Sequence, residues 1–117
     1  MDAEELKKRT KTFALRVLRL LESIPHGRTE DVLVRQLAKA ETSVGANYRA
    51  ACRARSKADF VSKITIVEEE ADETQYWLEL LIDLGRGNRT EIAALIEEAK
   101  ELTAIFTASG KTAKHNS

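Results

Sequence analysis

Apolar positions along this chain return in steps of four and three for nearly its whole length. Leu6, Thr10, Phe13, Val17, Leu20 and Ile24 form one such series, and Leu33, Leu37, Ala40, Val44, Asn47 and Ala51 a second. Phe60, Ile64, Val67, Ala71, Thr74, Leu78 and Leu81 form a third, and Ile92, Leu95, Ala99, Leu102 and Phe106 a fourth. Each is the spacing of a helix that buries one seam. The only proline, Pro25, and three of the five glycines, Gly27, Gly85 and Gly87, fall between the series, where breakers end helices. Ser56 followed by Asp59 has the form of a helix start, with the serine oxygen accepting from an orphan backbone N–H, and Thr90 is placed to cap the last helix. The pattern predicts helices over residues 3–24, 29–54, 57–84 and 91–108 of a 1–109 domain, followed by a flexible polar tail, 110–117. Four amphipathic helices on short connections pack most simply as an all-α, antiparallel up-and-down bundle.

The stretch TSVGANYRAACRARS, residues 42–56, tests that reading, because its glycine, asparagine and hydroxyls suggest a phosphate-binding loop. Such a loop needs clustered glycines after a strand. Here a lone Gly45 sits inside an unbroken 4-3 pattern, so a helix is expected, with Gly45 costing about 1 kcal/mol relative to alanine and serving close helix approach. Asn47 falls on the predicted seam, where a polar residue trades stability for register or oligomer state; it is read as a structural polar group.

The run QLAKAETSVGANYRAACRARSKADFVSKITIVEEEADETQYWLELL, residues 36–81, resembles the signature of the 23S rRNA intervening-sequence protein family of four-helix bundle proteins. The resemblance rests on QL at 36–37, TSVGAN at 42–47, RS-x-x-DF at 55–60 and EEADE-x-x-YWL at 69–78. It implies a left-handed four-helix bundle that assembles as a ring, commonly a homopentamer, without established enzymatic activity. Accessory proteins of diversity-generating retroelements share the superfamily and bind a reverse transcriptase and nucleic acid through a strongly basic surface. This chain departs from them in its balance of nineteen basic and nineteen acidic residues.

Zero net charge directs attention to local patches. Arg35, Lys39, Arg49 and Arg53 each lie two residues after a seam position, about 200° around the helix, and with Arg55 and Lys57 they form a candidate phosphate-contacting row for RNA or DNA. Solvation, or pairing with acids, is the competing reading. Residues 58–84 hold eight acids and one cation, whereas residues 1–57 hold thirteen cations and seven acids, an asymmetry that suits pairing within or between subunits or with another protein.

Leu15, Leu18, Ile66, Trp77 and Ile82 lie outside the narrow seams. They widen the core or form a subunit interface, in which tryptophan is a favoured anchor. The pairs Glu70 with Glu73 and Glu98 with Glu101 have a spacing that all-α Mg²⁺-dependent pyrophosphatases use, but it is common in a chain this rich in glutamate. His26 and His115 lie in a connection and in the tail, away from any Glu-x-x-His pair of a di-iron bundle. No catalytic, metal or cofactor site is expected. Cys52, the only cysteine, excludes an internal disulfide and suits a reducing cytoplasm. No apolar stretch is long enough to span a membrane, and the charged start MDAEELKKRTK does not read as a signal peptide. The expectation is a cytoplasmic homo-oligomeric scaffold, with nucleic-acid binding as the alternative.

Overall fold

In the computed structural model, which describes residues 1–116, the chain forms four helices: α1 (Ala3–Glu22), α2 (Arg28–Ala51), α3 (Lys57–Asp83) and α4 (Arg89–His115). Each lies beside its two neighbours, α4 returning to α1, while among the described residues the diagonal pairs keep their backbones apart and meet only through core side chains. The helices therefore stand at the corners of a square prism measuring 49 × 22 × 20 Å. Cross-helix pairs run in opposite directions along the chain. Arg9 and Arg16 of α1 bond Glu98 and Glu91 of α4, while on α3 and α4 Glu68 meets Thr107 and Ile64 meets Gly110. Both sets are the register of antiparallel neighbours.

Side-chain caps begin three helices. Asp2 accepts from the Glu5 N–H at 2.8 Å, Ser56 from Asp59 at 3.1 Å and Asn88 from Glu91 at 2.9 Å, each satisfying a donor that the first turn leaves orphaned. Asn88, not Thr90, caps α4, so that helix starts earlier than the pattern suggests. It also continues past its expected end near residue 108, through Gly110 to His115. Gly110 lies against the Ile64 side chain and Lys57 Nζ donates to the Lys114 carbonyl, so α3 provides a template for the added turns. Residues 110–115 are thus helix rather than tail, and Ser117 lies outside the described residues.

The seams of α1, α3 and α4 are buried as expected, except that Phe60 is only partly covered, while Leu21 and Ile96 join the core. On α2 the buried set is Leu33, Leu37, Ala40, Glu41, Val44, Tyr48 and Ala51. Asn47 is not among them. Its half-buried amide donates to the Ser43 carbonyl of its own helix at 2.8 Å, while Tyr48 turns inward to stack at a tilt on Phe106 with ring centroids 5.6 Å apart. The two breakers of the last connection, Gly85 and Gly87, hold φ of +69° and +78°, backbone that glycine enters without steric cost.

Candidate functional site

Up-and-down topology gathers distant segments at one end of the prism: the start of α1, the end of α2, the start of α3 and the end of α4. Residues 1–12, 46–63 and 104–116 together hold eleven Lys and Arg against four Asp and Glu. Neutrality of the whole chain therefore conceals a basic end. Arg35, Lys39, Arg49, Arg53, Arg55 and Lys57 are all exposed, but they do not act as one row. Arg49 faces α1 across an open groove of about 540 Å³ whose other walls include Lys7, Lys8, Lys11, Ala14, Gly45 and Ala46. Arg53 and Arg55 line a separate shallow depression with Asp59 and Lys63. Within it Lys63 bonds Asp59 at 2.5 Å and the Arg55 N–H reaches the same carboxylate at 3.1 Å, contacts that hold the Asp59 carboxyl below its usual range. Lys39 lies toward Glu70, and Arg35 toward Asp31, away from that end.

Gly45 has a different role from the expected one. A Cβ built there would meet Thr10 Oγ1 at 3.5 Å, ordinary contact distance, so helix approach does not demand glycine. Its missing side chain instead deepens the groove floor between α1 and α2.

The opposite charge is concentrated on α3. Residues 68–83 contain seven acids and no cation. Glu68 turns toward α4, where it accepts from the Thr107 hydroxyl, and Glu70 turns toward Lys39 of α2. Burial, and secondly the adjacent Glu73, raise the Glu70 carboxyl above its ordinary value. Between those two directions lies an outward row of Ile66, Glu69, Glu73 and Tyr76, spaced three, four and three. Ile66 is 43% and Tyr76 54% exposed, unusual for large apolar or aromatic side chains on an element otherwise in contact. Trp77 is half-buried, donates Nε1–H to Glu73 at 3.1 Å and meets Tyr76 edge-on with centroids 5.2 Å apart.

The profile of the 23S rRNA-intervening sequence protein family matches residues 4–108. The chain belongs to that family. A crystal structure of a protein of unknown function from the S23 ribosomal protein family of Bacteroides thetaiotaomicron is similar, with 33% identity and a TM-score of 0.85 over 95% of this chain and 99% of that one. A search of curated proteins finds no match.

In this intervening-sequence family member the apolar residues expected at an interface divide. Trp77 and Ile82 pack partly on the core and Leu18 is half-covered, whereas Leu15, at 43% exposure, stays free beside Ile66 in kind. Val32, Tyr76 and Leu84 are further exposed apolar residues that periodicity did not single out. The carboxylate pairs considered for metal have other engagements: Glu98 is clamped by Arg9, and the described residues contain no group of three or more potential ligands. No described helix is long and apolar enough to cross a membrane.

Glu41 is a further residue that periodicity did not single out. It has no exposed surface, and neither carboxylate oxygen finds a hydrogen-bond partner among the described residues. Burial alone pushes its pKa up to about 8, so the carboxyl is held neutral. The other buried polar side chains are satisfied within their own helices, Thr10 donating to the Lys7 carbonyl at 2.9 Å and Thr74 to Glu70 at 2.8 Å.

Proposed function

We propose that this protein is a non-catalytic helical scaffold that works as an assembly of identical subunits, a ring of the pentameric kind that the family resemblance implies. The observation that carries this reading is the outward row Ile66, Glu69, Glu73 and Tyr76, whose large side chains Ile66 and Tyr76 leave about half of their surface uncovered by their own subunit. Exposed aromatic and aliphatic groups interleaved with charge have the composition of an interface core and its rim. The half-buried, unpaired Cys52 suits a cytoplasmic setting. Light scattering coupled to size separation, at micromolar protein and physiological salt, is expected to return a multimer; a monomer overturns the reading.

A second reading is favoured by the basic end. Arg49, Arg53, Arg55 and Lys57 with the cations of α1 offer phosphate contacts that carry no base specificity, and repetition around a ring multiplies weak contacts through avidity where several engage together. Arg35 and Lys39, farther along α2, lie toward Asp31 and Glu70 and stand apart from that end. RNA titrated at two salt concentrations tests it, since phosphate binding weakens as salt rises; saturable binding that ignores salt, or none at low salt, removes it.

A further inference from the structure

We propose that the groove between α1 and α2 receives the outer face of α3 from a second copy of this chain, so that the assembly forms by head-to-tail contacts between two unlike patches. This rests on the oligomeric reading above and specifies its interface. The groove has a shallow floor of Ala14, Gly45 and Ala46 beneath the cations Lys8, Lys11 and Arg49, and none of these three cations forms an ion pair among the described residues. The face of α3 presents the reverse arrangement: Ile66 and Tyr76 bracket Glu69 and Glu73, neither of which has a cationic partner among the described residues. Small residues in the floor leave room for large side chains from outside, while the charged rims are of opposite sign. The dimensions also agree. Ile66 to Tyr76 covers ten helical steps, about 15 Å at 1.5 Å per residue, and the groove walls on α1 run over the same ten steps, from Glu4 to Ala14.

Like-with-like contacts are disfavoured by the same charges. Two α3 faces brought together about a two-fold axis oppose carboxylates, and two grooves oppose ammonium and guanidinium groups, each costing free energy that the crossed pairing recovers. The groove occupies one side of the square and α3 a different corner, so a crossed contact is heterologous and turns from copy to copy. That geometry does not stop at a dimer, and it makes a ring where the rotation from copy to copy closes.

The test uses three variants of the full chain, each checked for helix content by circular dichroism. Lys8→Glu with Lys11→Glu reverses the groove; Glu69→Lys with Glu73→Lys reverses the face; the third carries all four changes. Each double variant is expected to weaken assembly by roughly tenfold or more, as misplaced rim charges do, and the fourfold variant to recover the parent mass without mixing into parent assemblies. Double variants that keep the parent mass overturn the inference while leaving an oligomer in place, as does a fourfold variant that stays dissociated. A groove variant that keeps its mass but loses salt-sensitive RNA retention assigns the groove to nucleic acid and also overturns it. A monomeric parent removes the oligomeric reading itself.

Discussion

Arg9 on α1 grips Glu98 on α4 through two hydrogen bonds of 2.7 Å, Nε to one carboxylate oxygen and Nη2 to the other, with Glu101 a further 3.5 Å contact. The side chains are only 25% and 18% exposed. Two parallel charge-assisted bonds with partial shielding are the strong form of an ion pair, unlike the exposed contact of Lys100 with Glu97 at 3.4 Å. Arg9→Ala is expected to lower unfolding stability by about 1–3 kcal/mol, and Lys100→Ala by under about 0.5 kcal/mol. Urea denaturation with a double-mutant cycle on Arg9 and Glu98 measures the coupling; a value no larger than that of Lys100 with Glu97 contradicts the assignment.

Glu41 makes stability depend on pH in an identifiable direction. Its folded-state pKa of about 8 lies above its ordinary value of 4.5, so between those limits the folded chain holds a proton that the unfolded chain releases. The contribution is fully present below about pH 4.5 and is lost as pH rises through 8, with a slope of at most about 1.4 kcal/mol per pH unit. Glu70, displaced the same way, adds to the trend. Melting temperatures from pH 5 to 9 are expected to fall for the parent and to flatten for Glu41→Leu, which removes the buried carboxyl. Equal slopes for the two proteins would show that Glu41 is ionised or hydrated in the fold.

Gly45→Ala is expected to stabilise the monomer by about 0.5–1 kcal/mol, the helix-interior cost of glycine, because the added methyl meets Thr10 only at ordinary contact distance. Chemical denaturation reads the sign directly. A loss of stability would mean that α1 and α2 approach too closely for a Cβ.

The two glycines of the α3–α4 connection separate backbone cost from crowding. A methyl at Gly85 finds nothing within 4 Å, whereas at Gly87 it comes within 3.1 Å of Ile92 Cδ1 and 3.4 Å of Leu20 Cδ1. Both substitutions pay the left-handed backbone penalty, about 1–2 kcal/mol. Gly87→Ala is expected to cost more than Gly85→Ala, and thermal unfolding of the pair ranks them; the reverse order would place the crowding elsewhere.

Much of the bundle was legible because its seams on α1, α3 and α4 are apolar wherever they are buried, save for Thr10 and Thr74, whose hydroxyls bond within their own helices. The second helix shows why the remainder was not. Leu37, Glu41, Val44 and Tyr48 step by four, three and four just as Leu37, Ala40, Val44 and Asn47 step by three, four and three. A helix of 3.6 residues per turn drifts off a strict heptad, and the buried arc moves toward the first set. The charge on Glu41 masks that set, since only the presence of α1 and the other helices around it makes burial of a carboxyl visible. The basic end was concealed for a related reason. Lys8 and Arg49 are far apart in sequence, and no window along the chain brings them together; the α1–α2 hairpin does.

Collecting cations at one end of the prism and carboxylates along α3 gives a neutral protein a large electric dipole moment. Near the isoelectric point set by its composition, about 6.7, such a molecule does not behave as uncharged. It turns to present the matching patch to whatever charged body it approaches, so a subunit is expected to be retained by anion- and cation-exchange resins alike in dilute buffer and released from both by modest salt.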